Sequence, residues 1–331
     1  MRPDIYDVAS KLFCAVIPFP NNPLKAVNCY IVLDRERTLV IDMGFNLLAC
    51  REALLGALGE LGRPWSSVQV LATHSHPDHI GLLDSLRPVA APVLAPFDSM
   101  DELNAYHRES REAARRFLAQ AARYCDAPSE DSLRKWDTFS EERFTPSAPV
   151  AIKRLTEGEE IAAGPYRFEV LETPGHDDWH VCLYERGAHL MLVGDHVLRK
   201  IDPGVSALCP EHDLLDSYLF HLGRMPDDAR ITALPGHGRP FGDLAAEAAR
   251  IGSLHLDKIE GYLALVRDGH DRLPAIAAEA SRHPARWHRA APPYKLLSMS
   301  HAMAHLAKLA ADRCIAVLCD EQGEYRFEPC S

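Results

Sequence analysis

The chain has 331 residues, of which 47% are hydrophobic and 25% charged, and a formal net charge of −11. That length suits one large domain, or one domain with a smaller companion. The acidic balance opposes non-specific binding to nucleic acid or anionic lipid. No apolar run approaches the roughly 20 residues that a bilayer-spanning helix needs, so no membrane partner is expected.

The opening stretch MRPDIYDVASKLF carries Asp4 and Asp7 and lacks the apolar centre of a signal peptide. The apolar runs VNCYIVL (27–33) and TLVIDMG (38–44) read as strands flanking the charged turn Asp34-Arg35-Glu36-Arg37. LLACREALLGALGELG (47–62) has helical periodicity and ends on glycine. VQVLATHS (68–75) reads as a buried strand and HIGLLDSLR (79–87) as a helix. Residues 98–143 turn rich in Arg, Glu and Ala; 99–124 reads as one long helix, and the whole as a helical insertion or lid. Strand signals return from about 150, at FEVLE (168–172), HLMLV (189–193) and ITALPG (231–236). From about 243 the chain reads as helical, and it closes with a hairpin around Glu321-Gln322-Gly323. Nine scattered cysteines without a CxxC pair suit reduced thiols in a cytoplasmic protein.

The densest chemistry is THSHPDHIG (73–81), where His74, His76, Asp78 and His79 fall within six residues. In an extended segment the side chains at i and i+2 share a face, so His74 and His76 can grip one metal together. Asp78 and His79 follow a proline and a turn, and can address a second point nearby. Each zinc wants about four ligands, so two metals need more donors than this run supplies. Three later strand ends offer one each beside a glycine: His176 in TPGH, Asp195 in GDH and His237 in PGHG.

In this order, HxHxDH, TPGH, GD and PGHG resemble the metallo-β-lactamase fold superfamily, over about residues 25–245. The resemblance implies an α+β protein with an αββα sandwich. Within the superfamily the chain is most similar to the glyoxalase II-like and β-lactamase-like-protein-2 branch, which carries a C-terminal winged-helix-like tail. The implied domains are a catalytic domain at 1–245, including the insertion, and a tail at 246–331. The resemblance further implies that His74, His76 and His176 hold one metal, and that Asp78, His79 and His237 hold the other. Asp195 would bridge them, and Asp42 of IDMG would be structural. Two zinc ions, with iron or manganese as alternatives, would share a hydroxide, and Asp78 would orient it or relay a proton. Histidine rather than glutamate at position 76 departs from the di-iron flavoproteins and favours zinc.

Two departures stand out. GHDDWH (175–180) has Asp177 where Thr or Ser is usual, and it adds Trp179 and His180; His180 is a candidate catalytic or substrate residue. Position 198 is Leu, where related lactonases often carry a tyrosine. The implied activity is hydrolysis of a thioester, ester or lactone of a small molecule. An endonuclease acting on phosphodiesters and a non-catalytic regulatory protein are the alternatives, and a homodimer is open. His301 and His305, one helical turn apart, read as packing histidines for want of a third ligand, and the basic stretch 281–295 as a solvated loop.

Overall fold

The computed structural model describes residues 4–19, 24–35, 37–87, 91–124, 150–281, 283–321 and 323–330. The second part of the expected insertion, 125–143, lies outside them, as do Glu36, Cys125, Arg282 and Gln322. The chain divides into two compact units. The first comprises residues 1–106, 142–203 and 225–248; the second comprises 107–141, 204–224 and 249–331.

The first unit is built on two sheets. One holds seven strands in chain order: β1 (Asp4–Ala9), β2 (Leu12–Pro18), β3 (Ala26–Leu33), β4 (Thr38–Ile41), β5 (Val68–Leu71), β6 (Val93–Ala95) and β7 (Ile152–Arg154). Pairing is antiparallel from β1 to β4 and parallel from β4 to β7. The other comprises β8 (Glu160–Ala163), β9 (Tyr166–Glu172), β10 (Val181–Glu185), β11 (Leu190–Gly194) and β12 (Thr232–Pro235). Its order is β12-β11-β10-β9-β8, and only the β11–β12 pair is parallel.

The period-two alternation of β3 shows how the layers form. Tyr30 and Val32 join a core shared with Phe168, Val170, Leu183 and Leu192 of the five-stranded sheet. Val27, Cys29 and Ile31 face the other way, into a core shared with Cys50, Leu54 and Leu58 of helix α1 (Leu48–Glu60). The result is an α+β sandwich with helical additions.

Three expectations change in detail. The strand at 68–75 ends at Leu71, because the Thr73 amide turns aside to donate to Asp42 Oδ1 at 2.9 Å. The helix expected at 79–87 is a four-residue turn, α2 (Pro77–Ile80), followed by a 3-10 turn at 81–83. Ile80, Leu82 and Leu83 are all buried, so the segment lacks the solvent face of an amphipathic helix. Strands β1 and β2 were not expected; their alternating and apolar runs form the outer hairpin of the larger sheet.

The long helix is present as α3 (Met100–Tyr124). It begins in the first unit and continues into the second, which holds α4 (Leu214–Leu222), α6 (Leu273–Glu279), α7 (Pro284–Trp287) and α8 (Pro292–Ala311). Helix α5 (Leu244–Arg267) begins in the first unit and continues into the second. The hairpin β13 (Ile315–Cys319) and β14 (Tyr325–Pro329) closes the chain. Among the described residues no helix is long and apolar enough to cross a membrane.

Candidate metal centre

Every ligand candidate leaves the carboxyl end of a strand. His74 to His79 follow β5, His176 follows β9, Asp195 follows β11 and His237 follows β12. Their donor atoms meet in three groups, each with all donors within 4.8 Å: His74, His76 and His176; His74, His79 and Asp195; Asp78, His79 and His237.

Neighbouring groups decide which ring nitrogen of each histidine faces inward. A carboxylate only accepts, so His79 donates through Nδ1 to Asp42 Oδ2 at 2.8 Å. Thr73 Oγ1 donates to the same oxygen at 2.9 Å, and therefore accepts from His74 Nδ1 at 3.0 Å. His237 donates through Nδ1 to the Ala26 carbonyl at 2.7 Å. The Nε2 atoms of His74, His79 and His237 are thereby the ones that face inward. His76 is turned the other way: its Nδ1 lies 3.1 Å from both His74 Nε2 and His176 Nε2.

Asp195 occupies the middle. Its Oδ2 is 3.7 Å from His176 Nε2, 3.7 Å from His79 Nε2 and 3.3 Å from His237 Nε2. Asp78 Oδ2 stands 3.3 Å from His237 Nε2 and 3.9 Å from His79 Nε2. Gly236 makes room: a Cβ there would meet Asp195 Oδ1 at 2.2 Å.

The electrostatics divide the site. Burial, with the neighbouring histidines, holds His74 well below the usual imidazole range, and burial likewise lowers His76. On the other side burial also disfavours charge, but Asp42, Asp195 and Asp78 outweigh it and raise His79 well above its ordinary value. Asp195 and Asp78 similarly raise His237 to about 10. The same pairing overcomes burial at Asp195 and holds it well below the carboxylate range.

These residues suit a pair of cations. His79 Nε2, His237 Nε2 and Asp195 Oδ1 are buried without a hydrogen-bond partner, a costly state that coordination would relieve. One proton on His76 Nδ1 cannot serve two facing nitrogens well, whereas one cation can serve all three.

His180 is buried against this layer. Its Nε2 accepts the Asp195 backbone N–H at 3.1 Å, so its Nδ1 donates to Thr173 Oγ1 at 2.8 Å. Both ring nitrogens are engaged within the protein. Leu198 is buried in the core. Sequence reasoning passed over Asn28, whose side-chain amide donates at 2.8 Å to both the Pro235 and Gly238 carbonyls and clamps the His237 loop. Its signal was a lone amide in an apolar strand.

Fold and site together define a dinuclear metal-binding protein on an α+β sandwich. The family model of the Metallo-beta-lactamase superfamily matches residues 22–237, and the chain belongs to that superfamily. It is 27% identical over 300 residues to the Bacillus subtilis (strain 168) protein named "Probable metallo-hydrolase YqjP", covering 86% of this chain and 88% of that one. It is 27% identical over 246 residues to the "Acyl-coenzyme A thioesterase MBLAC2" of Gallus gallus, covering 70% and 78%. The crystal structure of a metallo-beta-lactamase family protein from Thermus thermophilus matches with a TM-score of 0.80 at 25% identity, covering 98% of this chain and 100% of that chain. A beta-lactamase domain protein from Burkholderia ambifaria shares the fold, with a TM-score of 0.78 at 22% identity over 99% and 94% of the chains.

Proposed function

We propose that the chain is a dinuclear metal-dependent hydrolase acting on a thioester, ester or lactone of a small molecule. The position of Asp195 Oδ2, within 3.7 Å of inward nitrogens from both ligand sets, carries this reading. His74, His76 and His176 would hold one cation and Asp78, His79 and His237 the other, with Asp195 placed between the two sets. Imidazole and carboxylate donors without thiolate suit zinc, with iron or manganese as alternatives. Two divalent cations supply a water of lowered pKa and polarise the bond under attack.

The remaining work falls to the chain. Asp78 is the partly open carboxylate of the site, with 13% side-chain exposure, and is placed to orient a water or take its proton. His180 acts behind Asp195, holding its backbone in place. The thioester is the favoured substrate bond because a relative covering 70% of this chain is named as an acyl-coenzyme A thioesterase. The net charge of −11 disfavours a nucleic-acid substrate.

We further read residues 1–245 as the catalytic domain and 246–331 as a winged-helix-like tail of the glyoxalase II-like kind. The succession of α6, α7 and α8 before the β13–β14 hairpin supports the tail. Free thiols at every described cysteine support a cytoplasmic protein.

The test is turnover of acyl thioesters, lactones, aryl esters and a phosphodiester by metal-loaded protein. Preference for the thioester supports the reading. Preference for the phosphodiester selects the endonuclease, and no turnover with both metals bound selects a regulatory protein.

A further inference from the structure

The Asp177 carboxylate is an expensive group to bury. Its residue is 4% exposed, and a carboxylate out of water must be hydrogen-bonded and paired. Ser75 Oγ donates to Oδ2 at 2.5 Å, and the Trp179 backbone N–H donates to Oδ1 at 2.7 Å. These two bonds fix the carboxylate, and Trp179 in turn packs on Tyr106 with ring centroids 5.0 Å apart. A hydroxyl residue would fill the place without the charge. Two basic groups bear on the fixed carboxylate: His76, whose Nε2 lies 3.7 Å from Asp177 Oδ2, and the adjoining His176.

His76 is the ligand that most needs such a neighbour. It offers Nδ1 to the three-nitrogen group, whereas His74 and His176 offer Nε2. When Nδ1 gives its lone pair to a cation, the ring proton must sit on Nε2, the nitrogen beside Asp177. A carboxylate there favours that tautomer and makes Nδ1 a stronger donor. Asp42 already does this for His79 on the other side.

Resting on the dinuclear reading above, we propose that Asp177 is a positioning residue for the three-histidine metal. It holds His76 in the Nε2-protonated form and raises the affinity of that half of the centre alone.

The experiment is zinc competition against a chromophoric chelator with metal-free full-length protein, resolving the two binding steps. Asp177→Asn keeps the shape and removes the charge; it is expected to weaken one step about 10–100-fold and leave the other unchanged. In a His237→Ala background, which cripples the second ligand set, the surviving step is expected to weaken by the same factor. Asp177→Ser, whose hydroxyl can still accept from the Trp179 amide, serves if the Asn variant does not fold. A general structural role would weaken both steps together. Equal weakening of both steps, or wild-type affinity in a folded variant, overturns the assignment while leaving the dinuclear reading intact. A wild-type protein that binds no zinc overturns both.

Discussion

At the metal centre, His79 and His237 send their Nδ1 protons outward, to the Asp42 carboxylate and the Ala26 carbonyl, and keep Nε2 inward. In the second unit, His305 gives its Nδ1 proton to the His301 carbonyl at 2.6 Å, and its Nε2 accepts from His255 Nδ1 at 3.1 Å. Both sets are buried, and both contain rings packed face to edge or stacked. Yet the described residues form metal-competent groups only in the first unit. His305 spends both nitrogens on protein partners, and the pair brings in no carboxylate. Burial and close spacing do not make a histidine a ligand; what counts is several donors converging on one point with an anion among them.

The sharpest way to break this contrast is to remove the shared anion. Asp195→Ala is expected to lose bound metal from both sets and to abolish hydrolysis, checked by elemental analysis and turnover in parallel. Gly236→Ala comes next. Its Cβ would intrude at 2.2 Å on Asp195 Oδ1, so metal content is expected to fall although no ligand has been changed. Asp42→Asn leaves every ligand in place and disturbs the orientation of His79 and, through Thr73, of His74. Metal affinity is expected to drop about 10–100-fold in chelator competition.

His305→Ala sharpens the other side. It should cost stability of about 3 kcal/mol in urea unfolding, as for truncation of a buried aromatic ring, while metal content stays at the wild-type value. The smallest effect belongs to the buried thiols. Burial pushes Cys14 and Cys182 up to about 12 and Cys50 up to about 11, from an ordinary 9.0. The unfolded chain releases these protons near pH 9, and the folded chain holds them until higher pH. Their contribution to stability is therefore complete below pH 9 and declines as pH rises towards 12. Urea midpoints at neutral and alkaline pH measure it.

Much of this centre was legible in the sequence because its donors sit at strand ends marked by glycine or proline, in a spacing with a direct geometric meaning. His74 and His76 do meet in one donor group, although residues 73–75 bend after β5 ends at Leu71 and are not the extended segment that the i, i+2 argument assumed. The Asn28 clamp was not legible, because it joins residues 207 positions apart and appears along the chain as one amide in an apolar run. The engagement of both His180 nitrogens was hidden for the same reason: one partner is the backbone of Asp195, just past the end of β11. In the fold, the apolar run after His79 suggested a helix because periodicity cannot tell a segment buried on all sides from an amphipathic one. The second histidine cluster was readable in part, since His301 and His305 lacked a third ligand in sequence. The contribution of His255 from α5 emerges only in three dimensions.

The most direct test of the central claim is the metal content of wild-type protein purified without added metal, set beside that of Asp195→Ala and His305→Ala. The account predicts about two divalent metal ions per chain in the wild type and in His305→Ala, and a loss of both in Asp195→Ala. A single metal per chain in the wild type, or full occupancy retained without Asp195, would contradict it.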